Sequence, residues 1–176
     1  MAVRPEPTAH AVLIRASNGD PEALAQIMAA HSGDMARICM VICGDPDVAH
    51  EAVQAAWAAA WRRLGSLRDP DRLRPWLMTI AANQARQMLR SARRRSGYEG
   101  SVTPQPPVDP GSRAELLDLA EALSHLEPDE RRLLGLRFVG GLTSEEIAHE
   151  LGGSASGVRG RVARIVKRLR TQLEHD

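Results

Sequence analysis

Aromatic residues, lysine and cysteine are all scarce in this chain of 176 residues. Aromatics make up 3% of the sequence, as three tryptophans, Tyr98 and Phe138. Runs of β-branched residues are also rare, whereas alanine, leucine, arginine and glutamate are abundant. Because those abundant residue types favour helix over strand, the composition excludes a sheet-rich fold and predicts helices throughout.

The two cysteines, Cys39 and Cys43, are four residues apart on a predicted helix, so they would share one face of it. A structural zinc site takes four cysteine or histidine ligands, and no further cysteine completes such a set. We therefore expect buried structural thiols, with no metal and no cofactor.

Long apolar runs are missing as well. No segment approaches the roughly 20 apolar residues of a membrane-spanning helix. The first residues also lack the apolar core and cleavage site of a signal peptide. We expect no membrane span and a cytoplasmic location.

The formal charge is +1, but the basic residues are unusual in type. Lys167 is the one lysine among 23 basic residues, and the others are arginines. Arginine forks suit phosphates and base edges, although a GC-rich genome would also raise arginine usage. The position of the arginines along the chain must therefore decide whether they bind nucleic acid.

Residues 96–113 divide the chain. This segment contains four prolines and three glycines without apolar periodicity, a composition typical of a flexible linker. The sequence thus predicts an all-α protein with two small helical domains, residues 1–95 and residues 114–176.

Helix starts are clearly marked in the first domain. Asp20-Pro21 and Asp45-Pro46 each place a capping aspartate before a proline at the first helical position. Further on, a helix is expected over 48–64, with Val53, Trp57, Ala60, Trp61 and Leu64 on one side of it, and another is expected from Trp76 to Arg95. Two separate apolar stripes are predicted between the first two capping sites, Ala23-Leu24-Ile27-Met28 and Met35-Ile38-Cys39-Ile42.

The second domain ends in a predicted helix-turn-helix. Thr143 and Glu146 form a capping box at the start of a short helix, and Gly152-Gly153 ends it. A longer helix, capped by Ser154 or Ser156, follows to about residue 174. A short helix, a glycine turn and a long helix are the proportions of a DNA-binding unit.

This last helix is amphipathic and basic. Apolar residues from Val158 to Leu173 form one arc, arginines occupy the rest, and no acid lies between Val158 and Arg170. A solvated basic face on a core helix is the alternative. DNA binding is favoured because the nine acids of residues 115–150 are segregated upstream and small residues line the helix start.

A second basic cluster closes the first domain. It comprises Arg86, Arg90, Arg93, Arg94 and Arg95, with no acid between residues 72 and 98. A solvated face or a basic tail remains the alternative. One such cluster in each of two linked domains indicates a protein that contacts DNA at two places.

Catalysis finds no support in the sequence. His50-Glu51 and His149-Glu150 begin like the zinc motif H-E-x-x-H, but Gln54 and Gly153 stand at the second histidine. No phosphate-binding G-x-x-x-x-G-K-[ST] loop is present. We expect a protein that is not an enzyme.

Two sets of motifs, in order and separated by the linker, resemble the extracytoplasmic-function (ECF, group IV) sigma factors of the sigma-70 family. The first set resembles region 2 and the second resembles region 4. The region 2 pieces are Val53-Gln54, Trp57, Ala60-Trp61-Arg62, Trp76-Leu77, Ile80-Ala81-Ala82-Asn83 and Arg86. The region 4 pieces are Leu126, Glu130-Arg131, Leu136-Arg137-Phe138, Thr143, Glu146-Ile147-Ala148, Leu151-Gly152, Val158-Arg159 and Arg161.

The resemblance implies a subunit that binds the bacterial RNA polymerase core and recognises the −10 and −35 promoter elements. Residues 67–75 would form the loop that captures a base of the melted −10 strand, and Trp76 would pack the fold. The residues implied for each role are as follows: for −10 DNA, Asn83, Arg86, Arg90, Arg93 and Arg94; for −35 base edges, Ser156, Arg159 and Gly160; for −35 phosphates, Arg161, Arg164 and Arg168; for the polymerase core, Glu51, Gln54 and Arg62.

Two other functions remain open at this point. One is a helix-turn-helix transcriptional regulator that binds duplex DNA without engaging polymerase. The other is an interaction protein, such as a degenerate sigma that titrates polymerase. The resemblance also implies an anti-sigma factor as a partner, since sigma factors of this group are commonly held inactive by one.

Overall fold

The structure is a computed structural model that describes residues 9–96 and 118–173, with the backbone alone for 93–96. Every regular element in these ranges is helical, as the composition predicts. The predicted linker lies outside them except for Ser96. The helices are α1 (Ala9–Ser17), α2 (Pro21–Cys43), α3 (Pro46–Arg63), α4 (Leu73–Ser96), α5 (described over 118–124), α6 (Pro128–Leu134), α7 (Ser144–Leu151) and α8 (Ala155–Leu173).

Both predicted capping sites of the first domain are confirmed. The Asp20 carboxylate accepts hydrogen bonds from the first-turn amides of α2, and Asp45 does the same for α3. The two apolar stripes predicted after Asp20 lie on one continuous helix of 23 residues, which ends at the left-handed Gly44. Helix α1 was not predicted.

Helix α3 packs against α2 and α4 through alanines rather than through its large side chains. Ala52 and Ala56 are fully buried and Ala60 nearly so. Trp57 is half-buried, and Trp61 is 51% exposed. Trp61 thus lies on the apolar side predicted for the helix without being buried, because the helices approach closely where only a methyl group fits.

Helix α4 begins at Leu73, three residues before the predicted start. Pro75 lies in its first turn, where a missing backbone N–H costs no helical bond. Trp76 is buried, as expected. The Cys39 and Cys43 thiols lie 3.6 and 3.7 Å from carbonyl oxygens of α4, and burial raises the pKa of each to about 12. They are the buried structural thiols that the sequence predicts.

In the second domain the helix-turn-helix is confirmed. Thr143 and Glu146 form the capping box of α7, and Gly152 and Gly153 turn the chain with φ of 76° and 129°. These positive φ values favour glycine, which has no Cβ to clash. Helix α6 continues directly into a π-helical turn, Gly135–Val139.

The two domains share one hydrophobic core. Ile38 and Ile42 of α2 pack against the Gly135–Val139 turn, and a Cβ on Gly140 would lie 3.1 Å from the Ile38 side chain. Arg131 of α6 is 5% exposed and donates a hydrogen bond to the Ile42 carbonyl near the end of α2. The second domain therefore lies directly on the α2–α4 face of the first.

Candidate nucleic-acid interface

Helix α8 is anchored at its start and along one side. Ser154 caps it, because the Gly157 amide donates to the Ser154 hydroxyl oxygen at 3.1 Å. Val158, Ile165 and Leu169 are buried at seven- and four-residue spacings, which fixes the rotation of the helix. The opposite side of α8 consequently faces solvent.

The predicted −35 residues all lie on that exposed side. At the helix start, Ser156 and Gly160 leave room around Arg159 for another molecule to approach. Each of the six predicted residues is exposed: Ser156, Arg159, Gly160, Arg161, Arg164 and Arg168. The structure thus places them on one continuous surface of mostly positive charge.

Arg159 forms an exposed ion pair with Glu145 of α7. Its guanidinium Nη1 lies 2.9 Å from Oε1 of Glu145, and the two side chains are 59% and 68% exposed. Ion pairs this exposed contribute at most about 1 kcal/mol, so the pair orients Arg159 without preventing its release. Arg168 similarly pairs with Glu130 of α6.

The predicted −10 residues that the structure describes follow one face of α4. Asn83, Arg86 and Arg90 are three and four residues apart, which aligns them along the helix. The side chains of Arg93 and Arg94 lie outside the described residues. The face formed by Asn83, Arg86 and Arg90 is named the α4 basic face below.

The α4 basic face is occupied by the first turns of α6. Arg86 Nε lies 2.6 Å from Oδ1 of Asp129, and Arg90 Nη2 lies 2.6 Å from Oδ2. Asn83 accepts a hydrogen bond of 2.7 Å from Arg132. Burial, together with the nearby Arg86 charge, lowers the pKa of Arg132.

The segment around the start of α4 also contacts the second domain. Arg72 lies 3.3 Å from Glu150 of α7, and Arg74 donates a 2.6 Å hydrogen bond to the carbonyl oxygen of Gly140. These partners are more than 60 residues apart in the sequence. No local pattern could have predicted the contacts, because each partner sits in an unrelated motif.

The predicted polymerase-binding residues are exposed on α3. Glu51, Gln54 and Arg62 all face solvent, and Gln54 forms a 2.8 Å hydrogen bond with His50. Trp61 is exposed beside them, next to an apolar groove that Met28 and Trp57 also line. In the sequence, Trp61 belongs to the Ala60-Trp61-Arg62 motif, and its spacing of seven residues from Gln54 places the two on one stripe of α3.

Within residues 9–96 and 118–173, no three metal-ligating side chains are grouped as a metal site would require. None of the helices in those ranges is long and apolar enough to cross a membrane.

Family models match both domains. The model for sigma-70 region 2 matches residues 27–95, and the model for sigma-70 region 4 matches residues 116–169. The first match covers the α4 basic face, and the second covers α6, α7 and most of α8. An independent regulator that does not engage polymerase is not favoured, since the first domain is itself a sigma region.

Individual relatives agree with the family models. RNA polymerase sigma factor CarQ of Myxococcus xanthus is 33% identical, with 90% of this chain and 94% of CarQ covered. ECF sigma factor SigL of Mycobacterium tuberculosis is 29% identical over 82% of this chain and 85% of SigL. A probable sigma factor, RfaY of Xanthomonas campestris, is 31% identical over 93% of this chain, which spans 44% of RfaY.

Solved structures agree as well. CnrH, solved in complex with the cytosolic domain of CnrY, superimposes with a TM-score of 0.71 at 27% identity, covering 94% of this chain and 96% of CnrH. Helical architecture, region order and sequence identity all support membership of one family. The chain therefore belongs to the sigma-70 family as an RNA polymerase sigma factor of the ECF group.

Proposed function

We propose that this sigma factor contacts promoters through two separate surfaces, with α8 reading the −35 duplex and the α4 basic face holding the melted −10 strand. The observation that supports the first assignment most strongly is the exposed start of α8, where small residues flank Arg159. The proposed units are residues 1–95 for core and −10 binding, 96–113 as linker and 114–176 for −35 binding.

The start of α8 suits base readout. A recognition helix enters the major groove with its first turns, where a guanidinium can form two hydrogen bonds to one guanine. Ser156 and Gly160 are short enough to let Arg159 reach a base edge. Arg161, Arg164 and Arg168 point outward further along the helix, where they would hold backbone phosphates.

The α4 basic face suits a single strand. Arg86 and Arg90 offer charges for its phosphates, and the Asn83 amide offers a donor and an acceptor to an unpaired base. Arg93 and Arg94 would extend this charged row. The segment over 67–75, which the structure divides into the turns before α4 and the first residues of that helix, would receive the extruded base, which is costly to unstack and needs a pocket.

For polymerase, the proposed surface is the outer side of α3. Glu51, Gln54 and Arg62 supply polar contacts there, and Trp61 adds an exposed aromatic of the kind that anchors interfaces. The groove next to Trp61 would accept an apolar side chain from the polymerase.

A protein inhibitor is part of the proposal. CnrH was solved with the cytosolic domain of CnrY, and the present chain superimposes on CnrH over nearly its whole length. We infer that an anti-sigma factor regulates this chain too. As an initiation factor the chain would be no enzyme and would act in the cytoplasm, where polymerase and chromosome meet.

Replacing Arg159 with glutamine tests the assignment of α8. We expect the variant to lose about 1–3 kcal/mol of discrimination at one −35 position, because one bidentate base contact disappears. Competition binding of a randomised −35 duplex library, followed by sequencing, measures this. Arg170→Gln, at the far end of α8, is the matched control and should keep the wild-type preference. A uniform loss across all sequences would instead make Arg159 a phosphate contact.

A further inference from the structure

The ion pair between Arg159 and Glu145 joins the two helices of the helix-turn-helix. Its partners are 14 residues apart, on either side of the glycine turn, and Arg159 Nη1 lies 2.9 Å from Oε1 of Glu145. Arg159 stands near the start of α8, the end that is proposed to enter the major groove. The pair therefore lies where bases would be read, whereas the pair of Arg168 with Glu130 lies further along the helix.

Both members of the pair extend from firmly held backbone. The capping box of Thr143 and Glu146 fixes the first turn of α7, with hydrogen bonds of 2.7 and 3.1 Å in the two directions. Ile147, two residues after Glu145, is fully buried, and Val158 is buried near the start of α8. The core and the cap thus set the positions from which the two side chains reach each other.

The pair leaves free the donors that base readout needs. A guanidinium carries N–H groups along more than one edge, and the hydrogen bond to Glu145 uses Nη1 of Arg159. Nη2 and Nε remain for O6 and N7 of a guanine, the two acceptors that an arginine contacts in the major groove. Arg159 can therefore contact Glu145 and a guanine in one geometry.

The Glu145 carboxylate also changes what Arg159 attracts. DNA phosphates attract an exposed arginine regardless of sequence, and a mobile side chain loses rotamer freedom when it binds. A carboxylate beside the guanidinium offsets its charge toward phosphates and orients its fork before DNA arrives. A base edge in line with the fork loses little from this, because its hydrogen bonds depend on direction.

We propose that Glu145 is a positioning residue for base readout, which holds the Arg159 fork toward guanine and disfavours its contact with phosphate. The inference rests on the proposed −35 readout by Arg159. Glu145 itself contacts no base in this role. It raises binding to the preferred sequence relative to other duplexes, without raising the affinity for DNA in general.

Glu145→Gln tests this role, because it removes the charge and keeps the length of the side chain. The probe is a DNA duplex library randomised at the −35 positions and bound in competition by the full chain. At the position where Arg159→Gln loses its guanine preference, we expect Glu145→Gln to lose about fivefold, the factor that corresponds to about 1 kcal/mol for an exposed ion pair. Affinity for duplexes without that guanine should stay level or rise, because a negative charge near the phosphates is lost.

Glu121→Gln is the matched control. Glu121 is exposed on α5, in the same domain but outside the helix-turn-helix, and its replacement changes the net charge equally. This variant should keep the wild-type preference. Glu145→Ala removes the same carboxylate and is the second variant, in case glutamine disturbs the fold, which circular dichroism checks. The double variant Glu145→Gln/Arg159→Gln should show the preference of Arg159→Gln alone, since Glu145 acts through Arg159.

The outcomes separate the two proposals. An unchanged guanine preference in both folded Glu145 variants, while Arg159→Gln loses it, would overturn the positioning role alone. Weaker binding to every sequence would also overturn it, since Glu145 would then support the domain rather than the readout. An equal loss in Glu121→Gln would reduce the effect to net charge and would overturn it too. If Arg159→Gln itself keeps the wild-type preference, the proposed −35 readout by Arg159 is wrong.

Discussion

Arginines in this chain differ in role according to what surrounds each side chain. Arg131 is buried and satisfies backbone carbonyls from both domains, whereas Arg159 is more than half exposed and has one weak carboxylate partner. Their sequence surroundings do not reveal this difference, because each is an arginine on an amphipathic helix. The amphipathic arc of α8 predicted that Arg159 is exposed, but nothing local predicted that Arg131 would reach Ile42.

His31 is a second residue whose surroundings decide its chemistry. It is half-buried on α2, near Asp34 of the same helix and Arg74 of α4. Burial lowers its pKa below 6.5, the Arg74 charge lowers it further, and Asp34 opposes them. Arg74 also donates a hydrogen bond to the Gly140 carbonyl oxygen, so His31 lies beside the interface between the domains.

We expect acid to destabilise the folded protein partly through His31. The unfolded chain binds a proton at His31 more readily than the folded chain does, so this contribution is complete above about pH 6.5 and is lost as the pH falls toward the folded pKa. His31→Gln should therefore show a smaller loss of Tm between about pH 7.5 and 5.5 than wild type. Thermal melts across that range measure it.

His125→Gln controls for removing any histidine, since His125 is exposed. This variant should keep the wild-type pH profile. Parallel profiles for wild type and His31→Gln would show that His31 does not couple protonation to stability.

At the scale of helices, the capping residues could be predicted from the sequence, whereas the face that each helix packs inward could not. The aspartate–proline starts of α2 and α3 and the Thr143 capping box follow from side chains bonding to amides a few residues away. The inward face of α3 depends instead on how closely α2 and α4 approach. Hydrophobic periodicity places Trp61 on the apolar side of α3, but the structure buries Ala56 between the helices and leaves Trp61 half exposed.

The alanine face of α3 gives a direct stability prediction. Ala52→Leu should destabilise the protein by about 1–3 kcal/mol, because a fully buried methyl site has no room for three further carbons. Urea unfolding monitored by circular dichroism gives the free energy. Ala58→Leu, at an exposed position of the same helix, should stay within about 0.5 kcal/mol of wild type. Equal effects at both sites would mean that helix propensity, not packing, sets the cost.

In the whole molecule, the presence of two helical domains could be predicted from the sequence but their docking could not. The proline-rich composition of residues 96–113 separates two regions of helical periodicity, and family models match on both sides of it. The docking of the two domains includes the contacts of Asp129 with Arg86 and Arg90, which are about 40 residues away in sequence. Such pairs leave no periodic signal. In the sequence the segregated acids favour DNA binding by α8 and do not indicate partners for the arginines of α4.

Reconstituted transcription tests the central claim of two promoter-reading surfaces most directly. Purified chain and bacterial core polymerase are combined with genomic DNA, and transcript start sites are sequenced, with an Arg86→Gln/Arg90→Gln variant run in parallel. We predict starts that share two upstream elements at constant spacing, and a variant that still binds the upstream duplex but starts few transcripts. Starts without shared elements, or an unimpaired double variant, would contradict the account.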